Sequence, residues 1–67
     1  MRNFIFDSLE GVTDVYFVVC NGNRLVYSNC NKKPCRRVFI RLAGRGDYVE
    51  LWYRNSTGND VLVAYAN

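Results

Sequence analysis

Histidine is absent from the 67 residues of this chain. Its absence removes the commonest general base and the commonest metal ligand of proteins. The sequence also lacks a nucleophile motif and a pair of carboxylates in a shared setting, and we read the glycines at 44 and 46 as a hairpin rather than a phosphate loop. We therefore expect a protein that is not an enzyme and has no cofactor.

Long hydrophobic runs are also missing. The longest uninterrupted apolar stretch covers residues 15–20, whereas a helix needs about 20 residues to span a bilayer. Residues 1–13 combine Arg2 with Asp7 and Glu10 and do not resemble a secretory signal. We expect no membrane span and a cytoplasmic location.

Cysteine is scarce and odd in number, with Cys20, Cys30 and Cys35. At least one thiol is therefore unpaired in a monomer, and free thiols are expected in a reducing compartment. The spacings match no common zinc knuckle, so no metal is expected. A Cys30–Cys35 disulfide remains open for an oxidising setting.

The composition favours strands over helices. Apolar residues make up 49% and aromatic residues 15% of the chain, and nine valines stand against three alanines. The length leaves room for one domain, residues 1–67. We expect an all-β fold, either a small antiparallel sheet or a five-stranded barrel resembling an SH3 domain.

Turn signals divide the chain into strands. Asn21-Gly22-Asn23 predicts an N-terminal hairpin of residues 14–20 and 24–28. Residues 29–35, which include Pro34, read as a loop. A C-terminal three-stranded meander is predicted over 36–42, 47–54 and 60–66, with turns at 43–46 and 55–59. The alternative to a barrel is a flat antiparallel sheet covered by residues 1–13.

The register of the meander predicts one apolar face, on which Leu51 pairs with Val63. The same register pairs Arg54 with Asp60 at the second turn. The opposite face would set Arg37 across from Trp52, and Arg41 across from Tyr48. Such pairs either form a binding surface or only protect the sheet. In a further alternative, Trp52, Phe39 and Leu62 form a second small core beneath residues 1–13.

Acidic residues are absent between Lys32 and Arg45, a segment with a charge of +6. The chain as a whole carries +3, so the remaining residues carry −3. This asymmetry predicts an electrically polarised molecule that attracts phosphates or an acidic protein surface.

These observations predict a small non-enzymatic binding module. The preferred ligand is single-stranded RNA or DNA, with rings stacking on bases and cations neutralising phosphates. The alternative is a protein-interaction module, such as an inhibitor or adaptor of a host protein of the kind that phages and mobile elements encode. A homodimer through an edge strand is a variant of it. The candidate site residues are Lys32, Lys33, Arg36, Arg37, Phe39, Arg41, Arg45, Tyr48 and Trp52.

Overall fold

Four strands and one α-helix form the framework of residues 4–67, the part of the chain that the computed structural model describes. The strands are β1 (Val15–Cys20), β2 (Arg24–Asn29), β3 (Val49–Arg54) and β4 (Asp60–Ala66), and helix α1 (Lys32–Gly44) lies between β2 and β3 in the chain. A short 3-10 helix, Asp7–Leu9, precedes β1. The sheet is antiparallel throughout, in the order β2-β1-β3-β4, so β2 and β4 are its edges.

Two of the three predicted hairpins are confirmed. The N-terminal one joins β1 to β2 through Asn21 and Gly22, whose φ angles are 56° and 84°. Asn and Gly adopt such angles at low energetic cost, which is why the sequence predicts this turn. The second hairpin pairs β3 with β4, with Arg54 opposite Asp60 as predicted.

The predicted strand at 36–42 is wrong, because these residues belong to α1. The five-stranded, SH3-like barrel is therefore not formed by residues 4–67, whose sheet has four strands. The residues that face the sheet recur at helical spacing, and they are Cys35, Val38, Phe39, Leu42 and Ala43. No helix in this part of the chain is long and apolar enough to cross a membrane.

The start of α1 explains the position of Pro34. Asn31 precedes the helix in an extended conformation, and Pro34 falls in the first turn. Backbone N–H groups of the first turn have no partner inside a helix, so a proline there removes no hydrogen bond. The residue that indicated a loop is thus compatible with a helix beginning at Lys32.

The end of α1 is a glycine cap rather than the predicted hairpin turn. The N–H of Gly46 donates to the carbonyl of Ala43 at 3.0 Å, and the N–H of Asp47 donates to the carbonyl of Leu42 at 3.3 Å. Gly46 has a φ of 86°. These two bonds form a Schellman motif, which requires a left-handed residue at this position.

Both faces of the sheet are covered, and each has its own apolar cluster. Under α1 the buried members are Val18, Cys35, Val49 and Leu51. On the opposite face the buried members are Phe4, Leu9, Val15, Phe17, Val19 and Trp52. Of the two predicted architectures, the sheet covered by the N-terminal segment is the closer one, although residues 1–3 lie outside the described residues.

An extra residue in β4 shifts the predicted register. Trp52 lies opposite Leu62, but Leu51 lies opposite Ala64 rather than Val63. Val63 is thus the unpaired residue of a β-bulge. The side chains of residues 64–66 therefore lie on the face of the sheet opposite to the predicted one, and Tyr65 pairs with Glu50.

Two glycine substitutions test the helix and its cap. Neither Gly44 nor Gly46 has an atom within 4 Å of an added Cβ, so only backbone conformation matters. We expect Gly46→Ala to lower the free energy of unfolding by about 1–2 kcal/mol, because of its positive φ. Gly44→Ala should raise it by up to about 1 kcal/mol, because alanine favours a helix. Urea denaturation followed by circular dichroism measures both, and destabilisation by Gly44→Ala would contradict the helix.

Candidate functional site

The outward face of α1 is a cluster of cations. All six predicted basic residues are exposed, five on the helix and one at its C-terminal end: Lys32, Lys33, Arg36, Arg37, Arg41 and Arg45. We call this surface the basic face. Within residues 4–67 the one ion pair joins Arg54 to Asp60, so the cations of the basic face have no acidic partner there.

Helical geometry concentrates these charges more than a strand would. Lys33, Arg37 and Arg41 follow one another at intervals of four residues, which places them in a row about 12 Å long. Lys32 and Arg36 form the neighbouring row. In a strand, residues 36 and 37 would point to opposite sides of the sheet, whereas α1 exposes both on one side.

The two lysines at the start of α1 oppose the helix dipole. The first turn contains Lys32 and Lys33 and no acidic residue. Because the N-terminal end of a helix carries a partial positive charge, cations there reduce helix stability by a few tenths of a kcal/mol or more. An anion bound near this turn would relieve that repulsion.

The three exposed acids, Asp7, Glu10 and Asp14, all lie outside α1. Asp7 and Glu10 are exposed in and after the 3-10 helix, which belongs to the segment covering the other face of the sheet. Asp14 is exposed just before β1 and accepts a hydrogen bond from the Tyr53 hydroxyl at 3.1 Å. This bond is the main cause of a raised pKa at Tyr53. Asp7 and Glu10 therefore lie on the side of the sheet opposite α1, whereas Asp14 is bonded to Tyr53, which shares the α1 side of β3 with Leu51.

Trp52 does not belong to the same surface as the cations. It is 7% exposed and lies in the cluster opposite α1, with its ring centroid 4.9 Å from that of Phe4. The predicted contact between Arg37 and Trp52 is wrong, because the sheet separates the helix from this ring. Phe39 is half-buried and packs between α1 and the sheet.

Tyr48 is held beside Glu50 rather than across from Arg41. Its hydroxyl donates to Glu50 Oε2 at 2.8 Å, and the indole Nε1–H of Trp52 donates to Glu50 Oε1 at 3.3 Å. The cross-strand pair of Arg41 with Tyr48 is wrong, since Arg41 lies on a helix. The structure therefore brings the six predicted cations together and separates them from the stacking platform that the sequence suggested.

A buried ion pair closes the face of the sheet opposite α1. The sequence predicted that Arg54 and Asp60 are paired, but not that they hold the N-terminal segment. Arg54 Nε lies 2.7 Å from Asp60 Oδ1, and this bond raises the pKa of Arg54. The guanidinium also donates to the carbonyls of Phe4 at 2.8 Å and Leu9 at 3.2 Å. Asp60 Oδ2 accepts the Phe4 N–H at 2.8 Å. These bonds hold the N-terminal segment over Trp52.

A groove of about 390 Å³ runs between α1 and β4. Its apolar lining is formed by Phe39, Ile40, Leu51, Val63 and Ala64, and Lys32 and Arg36 lie along it. Sequence reasoning did not identify this groove, since it placed residue 40 in a strand. The helical spacing of the residues from 35 to 43 is the signal that would have turned Ile40 outward.

The three cysteines form no disulfide with one another. Cys20 and Cys35 are buried and Cys30 is exposed, all as free thiols. Burial raises the pKa of the Cys35 thiol and thus keeps it protonated. Among the described residues no three Cys, Asp or Glu side chains are grouped as a metal site would require.

No protein-family model matches the chain, and comparisons with curated proteins and with solved structures find no match. Function must therefore be inferred from the chain's own side chains. The basic face, the closed aromatic cluster and the groove beside β4 are features that bear on that inference.

Removal of the Arg54 guanidinium tests how firmly the N-terminal segment is held. Arg54→Met leaves the Asp60 carboxylate, 1% exposed, without a counter-charge. We expect the free energy of unfolding to fall by about 3–5 kcal/mol. Trp52 emission should shift to longer wavelength as Phe4 moves away. Arg24→Met, at an exposed arginine of β2, is the control and should change stability by less than about 0.5 kcal/mol. Equal stability of the two variants would contradict the structure.

Proposed function

We propose that this protein is a non-enzymatic nucleic-acid-binding module and that its basic face contacts the phosphate backbone. The observation that carries the proposal is the arrangement of five cations on one face of one helix, without an acidic partner among residues 4–67. Such a surface gains affinity by releasing the counterions condensed on a nucleic acid. A cytoplasmic location, where nucleic acids are accessible, is part of this proposal.

The dimensions of the basic face suit a duplex. Double-stranded DNA carries one negative charge per about 1.7 Å of its axis, so the row from Lys33 to Arg41 spans several phosphates. The major groove, about 12 Å wide, admits an α-helix. Four of the six cations are arginines, whose planar guanidinium suits bidentate contacts to phosphate and to guanine.

The positions of the aromatic rings favour a duplex over the single strand that the sequence pattern suggested. Stacking on unpaired bases requires exposed ring faces beside the cations. Trp52 is buried on the other side of the sheet, Phe39 lies beneath the helix, and the Tyr48 hydroxyl is bonded to Glu50. Phosphate contacts, which need no exposed ring, are the interaction that this face supports.

An acidic protein surface is the second candidate ligand. It is favoured by Ile40, which is 55% exposed among the cations and lies at the groove. Protein interfaces combine an apolar centre with a charged rim, and an inhibitor or adaptor of an acidic host protein would bury Ile40. Phosphate contacts depend much less on this side chain. Ile40→Ser therefore separates the two candidates.

Binding measurements with a matched pair of arginine variants test the preferred function. A fluorescently labelled duplex DNA, a duplex RNA and a single strand are titrated by anisotropy over a series of salt concentrations. We expect Arg37→Gln to weaken duplex binding and to reduce the slope of log K against log salt by about 0.9. Arg24→Gln removes the same charge from β2 and should leave the slope unchanged.

A third variant separates binding from stability. Lys33→Glu places an acid in the first turn of α1, where it should raise the free energy of unfolding by about 0.3–1 kcal/mol. The same change should weaken duplex binding, so that lost affinity accompanies a more stable fold. No binding of the wild-type protein to any of the three nucleic acids at low salt would overturn the proposal. Equal effects of Arg37→Gln and Arg24→Gln would exclude the basic face as the site.

A further inference from the structure

Among the described strands, β4 is the one least covered by neighbouring elements. It forms one edge of the sheet, and α1 packs mainly on β1, β2 and β3. Four large apolar side chains of β4 are exposed, with Tyr65 the most at 66%, and the other three are Val61, Leu62 and Val63. Ile40 continues this apolar surface across the groove.

The two edges of the sheet differ in charge and not in backbone irregularity. Each edge strand contains one bulged valine that its neighbour does not pair, Val26 in β2 and Val63 in β4. Strand β2 begins with the exposed Arg24, a charge of the kind that protects edges from pairing. Strand β4 begins with Asp60, whose carboxylate is buried in the ion pair with Arg54, and from Val61 to Ala66 it contains no charged residue. The β4 edge therefore lacks the protection that the β2 edge has.

We propose that a second copy of this chain covers β4, in a two-fold dimer whose β4 strands pair antiparallel. In a symmetric contact the same surface lies on both sides of the interface. Because residues 61–66 are uncharged, β4 pairs with its copy in any register without placing like charges opposite each other. Homodimer interfaces are also the more apolar class of protein interface. An acidic partner, in contrast, would find no cation on this strand.

Antiparallel pairing of the two β4 strands defines the geometry of the dimer, because the same face of both sheets then points in the same direction. The two-fold axis stands perpendicular to the sheet, which becomes eight-stranded, and both α1 helices lie over the same face. Between the two β1 strands there are five strand spacings, about 24 Å. The outer edges are the two β2 strands, each with its Arg24, so the assembly closes as a dimer.

The area available makes this dimer a weak one. The exposed parts of Ile40 and the four β4 side chains amount to roughly 500 Å² per copy, below the about 800 Å² per partner of a standard interface. We therefore expect a dissociation constant in the micromolar range. The two basic faces repel each other at low ionic strength. Added salt screens this repulsion, with a Debye length of about 8 Å at physiological salt, and should therefore strengthen the dimer.

Sedimentation equilibrium of the full chain without nucleic acid, over a range of protein and salt concentrations, tests the dimer. The apparent mass of the wild type should rise with protein concentration from that of the 7.8 kDa monomer towards twice that value. Val63→Lys should remain monomeric at concentrations where the wild type is dimeric. Val26→Lys is the matched control, since both valines are 38% exposed bulge residues on edge strands, and it should dimerise as the wild type does. Circular dichroism confirms that each variant is folded.

A wild-type protein that stays monomeric at the highest concentration overturns the proposal. A dimer broken by Val26→Lys and not by Val63→Lys would assign the contact to β2 and also overturns it. Salt that weakens rather than strengthens association would indicate contact between opposite charges, contrary to an uncharged interface. None of these results depends on nucleic-acid binding, so a monomer that binds duplex DNA refutes the dimer and leaves the proposed function intact.

Discussion

The buried pair of Arg54 and Asp60 determines which surfaces of this small protein are open. It joins the last residue of β3 to the first residue of β4, and its remaining donors bond the carbonyls of Phe4 and Leu9. The N-terminal segment is thereby fixed over Trp52, and the face of the sheet opposite α1 becomes a closed aromatic cluster. Because this cluster is closed, the rings are not available for ligands. The exposed cations of α1 and the uncharged residues 61–66 of β4 are what remain.

Sequence periodicity predicted the hairpins but not the helix, for a physical reason. Residues 36–42 fit two patterns, since Val38 and Leu42 are four apart and belong to one face of either a strand or a helix. Arg36, Phe39 and Ile40 exchange sides between the two. The residues that favour the helix, Cys35 and Ala43, lie outside the predicted strand and were assigned to a loop and a turn. Gly46 was assigned to a hairpin turn, whereas its positive φ caps a helix.

The candidate site was predictable where it depends on neighbours in the chain. Charge density between Lys32 and Arg45 is a local property, so the cations cluster whether the segment is a strand or a helix. The location of Trp52 depends instead on Phe4, 48 residues away in the chain, and no local pattern reports that contact. The same holds for the bulge at Val63, which moves the rest of β4 by one residue and leaves Tyr65 exposed.

The claim that ligand binding uses the α1 side of the sheet, remote from Trp52, is tested most directly by NMR. Amide and indole resonances of ¹⁵N-labelled protein are followed as a short duplex DNA is added at low salt. We expect the amides of residues 32–45 to shift together with the guanidinium resonances, while the Trp52 indole N–H, bonded to Glu50, stays in place. An indole resonance that shifts as much as the helix amides would show that the ring takes part in binding, and would contradict the closed aromatic cluster.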